Sequence, residues 1–147
     1  MDLRHFKFFW NLWPPFLGLG ISIKDISPDY KKVITILKKH FWNANYFGTQ
    51  YGGGIFSMTD GVHMLMLVRN LPKGYRVWDK SASIQYLKRG HTTLTAEFII
   101  TDEDLAFIQQ KAQAESNLDW SATIEIKDTA GEVVAKVVRT MSIKYKG

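Results

Sequence analysis

Asn45, Tyr51, Gly52, Gly53, Gly54 and Asp60 fall within one short stretch of the chain. Together they offer an amide, a phenol, three consecutive glycines and a carboxylate. The glycines stand where a helical pattern begins, and the free N–H groups of a helix start can hold a developing negative charge. Asp60 lies about two turns further on, in a run that is otherwise nearly all apolar, where a carboxylate is expensive unless it is paired or used. An oxyanion donor, an amide and a buried acid suit acyl transfer. His5, His40 and His91 are scattered without ligand-like spacing, and the chain has no cysteine, so neither a metal site nor a thiolate nucleophile is expected.

The elements that must position these residues follow from periodicity. Arg4–Trp13 reads as a short aromatic helix stopped by Pro14 and Pro15. Its aromatic face suits closure of the core; a membrane surface is the alternative. Leu19–Ile26 and Lys32–Leu37 read as strands. From Gly53 to about Arg69 the residues are apolar on most of a helical surface, which predicts one continuous buried helix. Strands are then expected over Arg76–Leu87, Thr92–Thr101, Leu118–Ile126 and Glu132–Tyr145, with a Thr-capped acidic helix from Thr101 to about Ala114. In the first of these strands Trp78, Ala82, Ile84 and Tyr86 are expected on one face, with Asp79, Ser81, Ser83 and Gln85 on the other. One apolar helix among five or six mostly antiparallel strands predicts an α+β fold, a single domain over residues 1–147, with a curved sheet around the helix.

The 147 residues suffice for one domain with a real core. The net charge of +5 is dispersed over the chain, which reads as a solvated surface and not as a nucleic-acid footprint. No apolar run is long enough to span a bilayer, no signal peptide is evident, and the lack of cysteine fits a reducing cytoplasm.

Asn45, then Tyr51-Gly52-Gly53, then Ile55-Phe56-Ser57-Met58-Thr59-Asp60 resembles the signature of hotdog-fold acyl-CoA thioesterases of the phenylacetate-pathway type. That family has Asn, a short gap, His-Gly-Gly, and an apolar helix turn ending in Asp. The whole sequence, including Trp78-Asp79-Lys80, also resembles a hotdog branch described as a domain of unknown function. Tyr51 stands where the family has His, and a phenol donates a hydrogen bond but is rarely charged at neutral pH.

The resemblance implies a thioester hydrolase whose site lies between the subunits of a homodimer, which could pair further into a tetramer. Coenzyme A would be part of the substrate and no cofactor would be needed. Gly53 would donate its N–H to the thioester oxygen. Asp60 of the opposite subunit would activate water or attack the carbonyl, Asn45 would position water or thioester, and Tyr51 would be a supporting donor. Gly52, Gly54, Ser81 and Ser83 are further candidates for the pocket, with Phe56 and Trp78 lining its acyl end. Lys80, Lys88 and Arg89, with Lys73 and Arg76, are candidates for the coenzyme A phosphates. Each has a structural competitor: glycines for tight packing, Asn45 as a turn residue, Asp60 hydrogen-bonded or paired with His63 one turn on. Two rival functions use the same fold: a non-catalytic protein that binds an acyl thioester or lipid, and a hydratase, which the missing histidine disfavours.

Overall fold

A computed structural model of the chain describes residues 2–147. Eleven elements follow in order: α1 Leu3–Asn11, α2 Pro14–Leu19, β1 Ile21–Ile26, β2 Lys32–Leu37, α3 Gly52–Ser57, α4 Val62–Asn70, β3 Tyr75–Tyr86, β4 Leu94–Ile99, α5 Asp102–Glu115, β5 Asn117–Lys127 and β6 Val133–Tyr145. The strands form one antiparallel six-stranded sheet in the order β1-β2-β4-β5-β6-β3, curved around the central helical segment. Alternation does the sorting. Val33, Leu37, Leu94, Phe98, Ile124 and Val137 turn inward and are buried against Ile55, Met58, Val62 and Met66 of the helical segment. This is the hotdog arrangement that the sequence led us to expect.

Three features depart from the sequence reading. The central helix is two helices. The chain breaks at Met58–Gly61, with Gly61 left-handed at φ +71° as the N-cap of α4. An Asp-Gly pair is a turn signal even inside an apolar run, and glycine takes that φ without steric cost. The Thr59 hydroxyl donates back to the Phe56 carbonyl at 2.8 Å, and the buried Thr35 hydroxyl donates to the Met58 carbonyl at 3.0 Å, so the ends of the break are satisfied.

The prolines also start a helix: Pro14 opens α2 in the first-turn position where its missing N–H is harmless.

The third departure is a bulge in β3. Register slips between Asp79 and Ser81. Cross-strand partners share a face, and the odd residues of β6 point inward, so Val77 and Asp79 face the helices before the bulge, and Ala82, Ile84 and Tyr86 face them after it. Trp78 is therefore on the outer face, opposite Ile84, and Ser81 and Ser83 join it there.

β3 is an edge strand of twelve residues with one side unpaired. In the middle of the sheet β4 and β5 share only the Thr95–Lys127 and Ala96–Ile126 pairs, and the chain between these two strands forms α5. The Thr cap expected at Thr101 is present and forms a capping box: the Asp104 N–H donates to the Thr101 hydroxyl and the Thr101 N–H to the Asp104 carboxylate, both at 3.0 Å.

Candidate functional site

The residues singled out from the sequence divide between two hollows and the outer face. The smaller hollow, about 340 Å³, is lined by Asn45, Gln50, Gly52, Tyr86, Lys88 and Arg89, among others. Asn45 closes its loop. Its Oδ1 accepts from the N–H of Phe47 at 3.0 Å and of Thr49 at 3.1 Å, while its Nδ2 donates to the Thr49 hydroxyl at 2.8 Å. The amide is thus occupied, as an Asx-turn residue is.

What the loop presents is Gln50. Its Nε2 donates to the carbonyls of Leu37 and Thr92, both at 3.1 Å, which fixes the amide's orientation and leaves Oε1 buried without a partner among the described residues. A buried acceptor in that state is a place for a ligand donor or a water.

Helical bonding in α3 begins with the Ile55 N–H, which donates to the Tyr51 carbonyl at 3.1 Å. The Gly52, Gly53 and Gly54 N–H groups precede it and have no acceptor within the helix. The Tyr51 ring lies over Gly53: a Cβ there would come within 2.5 Å of it. Tyr86 donates its phenol to the Gly52 carbonyl at 2.9 Å, an approach that a side chain at position 52 would crowd. Burial, with Tyr51 nearby, pushes the Tyr86 phenol above its ordinary value, so it stays a donor. Lys88 is held by Asp128 at 2.8 Å and by Glu132, and Arg89 stacks over Phe47 at 4.6 Å.

The larger hollow, about 490 Å³, lies between α1 and α4. Asp60 and Asp79 stand at its edge. Behind them is Arg139, 4% exposed on β6. Its Nε donates to the Thr59 hydroxyl at 2.9 Å, one terminal nitrogen reaches Asp60 at 3.2 Å, and the guanidinium sits 5.2 Å from the centre of the Phe56 ring. The same nitrogen is 3.9 Å from Asp79 Oδ1, an ion-pair distance too long for a hydrogen bond, and that oxygen has no other partner among the described residues. Burial raises the Asp79 carboxyl above the usual range; Arg139 pulls it down and Asp60 pushes it up.

Asp60 is therefore not the buried acid expected from its apolar neighbours. Its side chain is 56% exposed, because the helix break turns it out to the rim and Arg139 holds it there. Nor does it pair with His63. That histidine is buried against Phe98 and Trp120, and burial lowers its pKa to about 4. Trp78 and Lys80 also miss the hollows: Trp78 lies under Lys144, and Lys80 is bound to Asp119 at 2.5 Å on the outer face. The bulge at Asp79–Ser81 puts Trp78 there, while Ser81 and Ser83 face outward by plain alternation with Ala82 and Ile84. Phe56 packs beneath Arg139 and lines neither hollow. Among the described residues no group of three His, Cys, Asp or Glu could hold a metal, and no helix is long and apolar enough to cross a membrane.

The family model described as a domain of unknown function, DUF4442, matches residues 4–143. The chain belongs to this family. No curated protein matches it. Among solved structures, this DUF4442 chain is similar to PA5026 of Pseudomonas aeruginosa, described as a protein of unknown function and probable thioesterase. The TM-score is 0.87 at 14% identity, over 99% of this chain and 97% of that one. Thioesterase HI1161 of Haemophilus influenzae gives 0.71 at 15% identity, over 99% and 92%. The smu.793 protein of Streptococcus mutans, solved bound to acetyl-CoA, gives 0.59 at 21% identity, over 86% and 90%. These likenesses establish the hotdog fold.

The residues that the sequence did not single out are Arg139, Asp79, Gln50, Tyr86 and the aromatic wall of α1. Arg139 carried a signal: it occupies an inward position in an otherwise apolar alternation of β6, where a charge must have a partner.

Proposed function

We propose that this protein hydrolyses an acyl-CoA thioester, with Asp60 as the base or nucleophile, at a site completed by a second copy of the chain. The observation that carries the reading is the Asp60 carboxylate, steered by buried Arg139 to the rim of the apolar hollow between α1 and α4. The likeness to thioesterases and to a protein solved with acetyl-CoA supports it.

Gly53 stands at the start of α3, whereas Asp60 lies past its end, beyond the helix break, on a different hollow from the one that Gly52 lines. One chain's donor and the same chain's carboxylate thus do not converge on one carbonyl. The unpaired edge of β3 offers the surface on which a second copy would add, since a long open edge is a template for strand pairing. In the homodimer, Gly53 of one subunit holds the carbonyl oxygen while Asp60 of the other takes a proton from water. The water oxygen bonds to the carbonyl carbon, the C–S bond breaks, and the thiolate leaves with coenzyme A and is protonated. Gln50 offers its free Oε1 to an N–H of the pantetheine arm, and Arg89 at the same hollow meets phosphate. Asn45 acts by shaping the loop that carries Gln50. A cytoplasmic setting, where acyl-CoA is found, belongs to the same proposal.

A second reading is a non-catalytic binder of acyl thioesters or lipid. The observation favouring it is Tyr51, which stands where thioesterases of the phenylacetate-pathway type have histidine and which covers Gly53.

Hydrolysis of a panel of acyl-CoAs, read as free thiol, tests the choice. The chain's lack of cysteine removes background. Turnover by the wild type that Asp60→Asn abolishes, with light scattering showing a dimer in both, is the expected result. Binding without turnover on every substrate would overturn the hydrolase reading in favour of the binder.

A further inference from the structure

The hollow between α1 and α4 has a composition that the sequence-derived pocket lacked. One wall is Phe6, Phe9, Trp10 and Trp13 from the N-terminal segment; the other is Met64 and Leu65 of α4. At about 490 Å³ it falls within the range of small-molecule sites. Phe9 is 58% exposed and Trp13 46% exposed, so the wall is built but uncovered in the single chain. Exposed aromatic surface that converges on a concavity marks a binding site more than scattered apolar residues do. Methionine on the facing wall adapts to varied apolar shapes.

Charge is confined to one end. Asp60 and Asp79 line the hollow there, whereas Arg139 does not: it is buried behind them, with its nitrogens turned to Thr59 and Asp60. A ligand in the hollow meets carboxylate oxygens and never the guanidinium face. A ligand end that is anionic is therefore disfavoured nearest Asp60, because the two carboxylates repel it.

We infer that this hollow is the acyl chamber, shaped for an uncharged apolar acyl group of medium or long chain and closed to the corresponding free acid. The inference rests on the thioesterase reading and specifies its substrate. It also gives the reaction a direction. The thioester enters neutral; when the C–S bond breaks and the C–O bond forms, the product becomes a carboxylate beside Asp60 and Asp79, and the chamber expels it. Product inhibition by free fatty acid is weak as a result.

The test is displacement of N-phenyl-1-naphthylamine, a neutral apolar dye, from the full-length wild-type protein at pH 7.5. The competitors are dodecanol, dodecanoate and dodecylammonium below their micelle concentrations. Dodecanol is expected to displace the dye at least tenfold more effectively than dodecanoate, and Asp79→Asn to narrow that gap severalfold. Leu65→Trp, which fills the chamber, is expected to weaken dye binding at least tenfold and to lower kcat/KM for dodecanoyl-CoA tenfold relative to acetyl-CoA. Circular dichroism checks its fold, and Trp13→Ala, on an exposed surface, serves as the second chamber variant. No dye binding by the wild type, or equal displacement by dodecanol and dodecanoate, would overturn the inference. So would tightest binding of dodecylammonium, which would mark a site for a cation. Displacement needs no turnover: a chamber that prefers dodecanol in a protein that hydrolyses nothing would sink the hydrolase reading and leave the chamber standing.

Discussion

Arg139→Met tests whether the buried guanidinium organises the two carboxylates. Methionine keeps much of the side chain's length and its contact with Phe56, so packing changes little. Three interactions are lost. The bond to the Thr59 hydroxyl, 2.9 Å, is worth about 1 kcal/mol. The contact with Asp60 at 3.2 Å is discounted to about 0.5 kcal/mol, because that carboxylate is more than half exposed. Asp79, with a side chain only 25% exposed, loses its one counter-charge, which costs about 1–3 kcal/mol. Relief of the arginine's own desolvation offsets part of this. The net expectation is a destabilisation of about 2–3 kcal/mol, read by urea unfolding at pH 7 at fixed protein concentration with unchanged m.

The diagnostic quantity is the coupling. In an Asp79→Asn background the same substitution should cost about 1 kcal/mol less, whereas Asp60→Asn should relieve only about half as much. Burial thus outranks distance: the carboxylate at 3.9 Å couples more strongly than the one at 3.2 Å. Stronger coupling to Asp60 than to Asp79, or a variant as stable as the wild type, would refute the reasoning.

Other outcomes follow from the same structure. His63, with its pKa lowered by burial to about 4 from an ordinary 6.5, is held neutral in the fold. Its contribution is complete above pH 6.5 and is lost as pH falls towards 4, so unfolding of His63→Leu compared with the wild type across this window should show the variant gaining about 3 kcal/mol in relative stability. A difference that does not vary with pH would mean that His63 is not buried neutral. Gly61→Ala meets nothing within 4 Å, but it forces a side chain into φ +71°; thermal unfolding should show a loss of about 1 kcal/mol, and turnover should fall as Asp60 shifts. Gln50→Leu removes two donors to carbonyls as well as the free acceptor, whereas Gln50→Glu keeps an oxygen at Oε1. If Oε1 meets a ligand N–H, isothermal titration with coenzyme A should show the loss in Gln50→Leu exceeding that in Gln50→Glu; equal losses would assign Gln50 to structure alone.

Much of the fold was legible because it rests on local periodicity. Alternation, with β-branched content for Lys32–Leu37, located the six strands, and Thr101 with the acids behind it located α5 to within a residue or two. The misses share a cause: a local signal was outweighed by its neighbours. Asp60-Gly61 announces a turn, but the apolar residues on either side read as an uninterrupted helix. Pro14 and Pro15 stop α1 and equally suit the first turn of α2. The bulge in β3 leaves no mark in the residue pattern, since Trp78, Ala82 and Ile84 alternate faultlessly in the sequence and are separated only by how β3 registers against β6.

The site shows the same limit more sharply. Sequence spacing finds partners along a helix, so it offered His63 to Asp60. The real partner is Arg139, on β6 and 79 residues away. Spacing could not supply that pair, but burial logic could have narrowed it. Val137, Arg139, Met141 and Ile143 run along β6, and the inward alternation places Arg139 among buried apolar side chains. A guanidinium cannot be neutralised by deprotonation, so it must find carboxylates. Asp79 sits inward on β3, the neighbouring strand, and Asp60 breaks the apolar run of the helix that the sheet wraps. Reading charges as exceptions to an apolar face, rather than as members of a linear motif, brings Arg139 and Asp60 together before any coordinates do; Asp79 joins them only through the bulge in β3. It also explains why Asp60 is not buried: an arginine fixed below the rim holds a carboxylate at the surface, in reach of water, while the helix break supplies the slack to let it turn outward.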